Sequence, residues 1–159
     1  MPTEIARQLH AYLTAVKHQH QAIVGFDPLE TRFPWPGQSR QVWPIADLSG
    51  TLRSGERFII EVDDHADPAR SVVKYWPLLH SIAEKRLAHP PIALMEVSRP
   101  DATFGLGFQL LAQFMGSQFE VMFPGFFRFE FVDLVPDDID GMARRVLAFL
   151  DRGQGEPAV

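Results

Sequence analysis

The run Phe58-Ile59-Ile60-Glu61-Val62-Asp63-Asp64-His65 constrains this chain more than any other stretch. Its apolar, β-branched half reads as a buried strand, and its end is a cluster of acids. Carboxylates beside an apolar layer are costly to desolvate unless they reach solvent, a cation or a metal. Asp67-Pro68 follows as a helix start, because Asp can cap free N–H groups and Pro fits the first helical turn. Pro91 to Val97 is then a second, continuously apolar strand run. Strand, helix and strand in this order predict a crossover between parallel neighbours over Arg57 to Val97.

Around this unit the rest of the chain falls into place. Ile5, Leu9, Tyr12, Leu13 and Val16 recur at helical spacing and predict an amphipathic helix from Thr3 to about Gln19. Gln21 to Phe26 reads as a short strand, and Asp27 to Ser39 as a proline-punctuated loop holding Phe33 and Trp35. Arg40 to Leu52 and Arg57 to Asp63 read as neighbouring strands joined by a turn at Ser54-Gly55. The helix after Asp67 should reach about Leu87, with Val72, Val73, Trp76, Leu79 and Ile82 as its apolar stripe. Pro77 should kink or divide it. Phe104 to Met115 reads as a helix, Phe119 to Leu134 as one or two strands, and Asp137 to Leu150 as a closing helix. Phe119, Phe123, Phe126, Phe127, Phe129 and Phe131 read mainly as core. Alternation of Phe127, Phe129 and Phe131 with Arg128 and Glu130 also allows an apolar oligomer face. Residues 1–150 read as one domain and 151–159 as a flexible tail.

Composition removes several function classes. With 46% apolar and 22% charged residues, the balance is that of a water-exposed folded domain, and no apolar run approaches the ~20 residues that span a bilayer. No membrane association is expected, and no basic region followed by an apolar core opens the chain, so the expected setting is cytoplasmic. The absence of cysteine excludes disulfides and thiolate metal sites. A net charge of −5 argues against a protein that coats nucleic acid, though not against a local basic groove. His10, His18 and His20 do not share one helix face and form no ligand triad. His65 reads as a loop histidine that could otherwise ligate a metal or act as a base.

Side chains alternate across a strand, so Glu61 and Asp63 should project to one side and Ile60 and Val62 to the other. A neighbouring strand end at Asp47 could bring a third carboxylate into the same notch. Oxygen ligands at a hydrated site suit Mg²⁺ or Mn²⁺, which can activate water and neutralise phosphate charge. Each residue also has a plainer reading. Asp47 could cap a turn before Leu48-Ser49-Gly50, Glu61 and Asp63 could mark an exposed sheet end, and Asp67 is a helix cap. Arg70 and Lys74 could be solvated helix cations.

The segments Ile45-Ala46-Asp47 and Ile60-Glu61-Val62-Asp63, followed by Ser71-Val72-Val73-Lys74-Tyr75-Trp76, resemble the PD-(D/E)XK superfamily over roughly residues 3–97. The resemblance implies an α/β, restriction-endonuclease-like fold, a three-layer α/β/α sandwich around a central mixed sheet. It implies Asp47 and Glu61 as metal ligands, with Mg²⁺ or Mn²⁺ as cofactor, and Asp63, on the same strand face as Glu61, is the third expected metal-binding residue. Asp47, Glu61, Asp63 and Lys74 are then the catalytic set of a nuclease hydrolysing nucleic-acid phosphodiesters, DNA ahead of RNA. Two departures stand out. Proline does not immediately precede Asp47, and Asp63 occupies the place of the family's lysine, for which Lys74 on the following helix is the expected substitute. The alternative expectations are a catalytically inactive module of the same fold that binds nucleic acid or protein, such as a homodimer, and a homo-oligomeric assembly protein.

Overall fold

Alternation along the strand Arg57–Asp63 divides the chain into two cores. Phe58, Ile60 and Val62 enter one apolar cluster, and Ile59 enters the other, on the same face as Glu61 and Asp63. In the computed structural model, which describes residues 2–34, 37, 39–64, 67–99 and 105–152, the elements run as follows. They are α1 (Glu4–Val16), β1 (Ile23–Phe26), β2 (Thr31–Arg32), β3 (Ile45–Ala46), β4 (Leu48–Leu52), β5 (Arg57–Asp63), α2 (Pro68–Val73), α3 (Trp76–Ala83), β6 (Ile92–Ser98), α4 (Gly105–Met122), β7 (Phe127–Asp133) and α5 (Ile139–Arg152).

Five strands form one mixed sheet in the order β1-β4-β5-β6-β7, while β2 and β3 make a separate antiparallel pair. β1, β4 and β5 are antiparallel neighbours, and β5, β6 and β7 are parallel. The expected crossover from β5 to β6 is therefore present. α1 and α5 cover one face, burying Leu9, Leu13, Val146 and Leu150 against Phe58, Ile60 and Met95. α2, α3 and α4 cover the other, with Val72, Leu79 and Phe119 against Ile59 and Leu94. Burying one such side chain contributes about 1.5–3 kcal/mol, so each strand residue anchors its own layer. The architecture is mixed α/β with helices on both sides of the sheet.

Two glycines permit close approaches between neighbouring elements. A Cβ on Gly116 of α4 would stand 2.1 Å from the Phe129 ring, so glycine lets that helix settle on β7. A Cβ on Gly50 would stand 2.2 Å from the Gly25 carbonyl oxygen of the adjoining strand.

Several boundaries differ from the sequence reading. Arg40 to Leu52 is not one strand: Arg40–Val42 is a 3₁₀ turn, and β3 and β4 are separated at Asp47 and belong to different ladders. Phe119 to Met122 is the last turn of α4 rather than a strand, and only Phe127–Asp133 pairs in the sheet. The face of Phe127, Phe129 and Phe131 packs against the second core, which removes it as an exposed oligomer surface. Asp151 and Arg152 belong to α5 rather than to a tail, and the remainder of that segment lies outside the described residues, as do Trp35, His65 and Phe104. Pro77 does divide its helix: α2 ends at Val73 and α3 begins at Trp76. No described helix is long and apolar enough to cross a membrane.

Candidate functional site

Register brings the acids together. Leu48 pairs with Ile60 in the antiparallel ladder, so Asp47 occupies the next position, opposite Glu61. On the other side Glu61 pairs with Glu96 and Asp63 with Ser98 in the parallel ladder. Glu61, Asp63, Glu96 and Ser98 thus share the sheet face covered by α2, α3 and α4. Glu61 and Glu96 are buried to 2% and 0% exposure, which makes their charges expensive.

One cation answers this cluster directly. Lys74 Nζ donates to Glu61 Oε2 at 2.7 Å and to the Ile45 carbonyl oxygen at 2.7 Å. The next residue, Tyr75, donates its hydroxyl to the other oxygen of Glu61. At the interruption between α2 and α3, consecutive residues therefore reach both oxygens of a single carboxylate. Asp47 Oδ2 accepts from the Val62 backbone N–H at 2.8 Å, and Asp63 Oδ2 accepts from the Ser71 hydroxyl. Asp67 does what the sequence indicated and caps α2, accepting from the Arg70 N–H at 3.1 Å.

The protonation pattern follows from burial. Desolvation pushes the Glu61 carboxyl up to about 7, although Lys74 beside it pulls the other way. Asp47 is pushed up as well, again chiefly by burial, with its hydrogen bond to Val62 and the Lys74 charge opposing. Burial and then the adjoining Asp63 hold Glu96 well above the usual carboxylate range. Neither Glu96 oxygen has a conventional donor. A neutral Glu96 resolves this, because its own acid proton can be shared with Asp63. Burial, and then Glu61, also hold the Tyr75 hydroxyl in its protonated form.

An open cleft of about 500 Å³ gives access from solvent, lined among others by Trp43, Ile45, Asp63, Arg70, Ser71 and Lys74. Asp63 and Lys74 reach the cleft wall, whereas Asp47 and Glu61 do not line it. Among the described residues, no three His, Asp or Glu side chains form a ready metal-binding group.

All four sequence candidates, Asp47, Glu61, Asp63 and Lys74, thus fall in one neighbourhood. Three participants were missed: Glu96, Tyr75 and Ser71. Glu96 carried a signal, a lone acid inside an otherwise apolar strand run; Tyr75 carried none beyond adjacency to Lys74. The chain matches no family model, no curated protein and no solved structure.

Proposed function

We propose that this chain is a restriction-endonuclease-like, metal-dependent phosphodiesterase acting on nucleic acid, DNA ahead of RNA, with Lys74 in the role of the motif lysine. The observation that carries the reading is the 2.7 Å contact of Lys74 Nζ with Glu61, at a point where Asp47 and Asp63 also converge. The element order supports it too: a helix, antiparallel strands, a helix and a parallel strand precede the remainder of the sheet.

The donor chemistry fits a hard divalent cation. Asp47, Glu61 and Asp63 offer only oxygen, and burial raises the first two toward neutrality, an imbalance that additional positive charge relieves. Side chains must shift to admit an ion, because no ready group of three acids exists among the described residues. A bound Mg²⁺ or Mn²⁺ supplies a lowered water pKa and charge neutralisation at phosphate. Lys74, 30% exposed and on the cleft wall, is placed to meet a phosphate oxygen and stabilise its developing charge. Arg70 lines the same cleft, and Trp43 joins it to a second depression lined by Arg32 and Arg40. Those cations give a strand of phosphates a path across an otherwise acidic protein.

A non-catalytic module of the same fold is the second reading, and one observation favours it. Both oxygens of Glu61 are already engaged, by Lys74 and Tyr75, behind the cleft wall. Incubation of the pure chain with DNA and RNA in Mg²⁺ or Mn²⁺ separates the two. Cleavage that disappears in Glu61→Ala supports the enzyme; cleavage unchanged in that variant is contamination, and binding without cleavage supports the module.

A further inference from the structure

Helix α4 has an outer face that nothing on this chain covers among the described residues. Leu110, Phe114 and Val121 are exposed to 53%, 61% and 74%, with Leu111 and Met122 beside them at 44% and 52%. At about 100° per residue, Leu110, Phe114 and Val121 lie within ~40° of one another around the helix, opposite the buried Ala112, Phe119 and Phe123. They therefore form an apolar stripe, interrupted at Ser117 and Gln118, along the side turned away from the sheet. The only charged residue of the helix, Glu120, is turned inward, where it accepts from the Phe129 N–H at 2.7 Å.

The pattern of the stripe specifies a helical partner. Gly107, Leu110, Phe114, Ser117 and Val121 follow the alternating three- and four-residue spacing of a seam between two packed helices. A Cβ at Gly107 would meet no atom within 4 Å, so this end of the seam is open. The seam is also complementary to itself when run in reverse. Antiparallel pairing about a two-fold axis at Phe114 sets Gly107 level with the partner's Val121, small against large, and Leu110 level with the partner's Gln118. No charge on the outer face opposes such pairing, which matters in a chain of net charge −5. The lack of any Lys or Arg on α4 argues against an anionic membrane surface as the occupant.

We infer that a second copy of this chain docks on α4, forming an antiparallel helix pair centred on Phe114. The exposed apolar area of the stripe and the adjoining Phe126 is on the order of 600 Å², close to the ~800 Å² per partner of a standard interface. The pair forms away from the acidic cleft and is independent of whether that cleft cleaves anything.

Sedimentation velocity of the full chain over a range of concentrations tests this. The expected result is a species of twice the 18.0 kDa chain mass that Phe114→Glu and Val121→Glu convert to monomer with unchanged circular dichroism. Because the chain has no cysteine, a single Phe114→Cys substitution should cross-link two copies under mild oxidation. Val24→Cys, equally exposed at 57% but on β1 at the far edge of the sheet, should not. A wild-type monomer at hundreds of micromolar overturns the inference, as does a dimer indifferent to both glutamate substitutions.

Discussion

Lys74 and Glu61 form a partly buried ion pair, Nζ to Oε2 at 2.7 Å, in which the carboxylate is 3% exposed and the lysine side chain 30%. A pair of this kind contributes little net stability, because desolvation offsets its attraction, yet removing one partner leaves the other charge stranded. Lys74→Met should therefore destabilise the fold by about 1–3 kcal/mol in urea unfolding at neutral pH. Adding Glu61→Gln should restore much of that loss. Additive effects of the two substitutions would show that the residues are not coupled.

Stability should depend on pH through the same carboxyl. Glu61 titrates near 7 in the folded chain against 4.5 for the free group, so the folded state keeps a proton that the unfolded chain has released between those values. Its contribution is fully present below about 4.5 and is lost as pH rises through 7. Asp47 and Glu96 are shifted in the same direction and steepen the trend. The stability of wild type relative to Glu61→Gln should fall by about 3 kcal/mol across this window. A difference that grows with pH contradicts the assignment.

Tyr75→Phe deletes a single hydroxyl from the second oxygen of Glu61 without changing the shape of the core. The expected cost is about 1–2 kcal/mol, and the Glu61 titration should move higher, since the lost hydrogen bond favours the ionised form. Denaturant titration and carboxyl chemical shifts read the two effects separately. An unchanged Glu61 titration would place the hydroxyl outside this network.

Gly116→Ala tests how α4 is seated. Its added methyl would overlap the Phe129 ring, which sits on a strand and cannot withdraw freely. A loss of about 1–3 kcal/mol is expected, despite the better helix propensity of alanine. Relief of that loss in Gly116→Ala/Phe129→Leu would identify the ring as the obstacle.

How much of this was legible in the sequence depended on the range of the interactions. Asp67-Pro68 revealed its helix start because a cap is formed within four residues, and Pro77 revealed the break because it acts on its own turn. The common face of Glu61 and Asp63 followed from strand alternation. Glu96 was marked as a lone acid in an apolar run, but its place beside Glu61 was out of reach, since it is set by the register of two strands separated by both α2 and α3. The end of α4 was misread because Phe119 and its neighbours are apolar enough for either period. Burial at Ala112, Phe119 and Phe123 exposes the helical one. The division of Arg40 to Leu52 arises from a second, two-stranded ladder that pairs Ile45 with Arg32, a contact no local pattern announces.

The most direct test of the central claim is single-turnover cleavage of DNA with saturating Mn²⁺ by wild type and Lys74→Met, both held well below their melting temperatures. If Lys74 stabilises phosphate charge, the variant should still be stabilised by Mn²⁺ but cleave about 10²–10³-fold more slowly. Equal cleavage rates in the two proteins, or no cleavage by wild type under any divalent condition, would contradict the account.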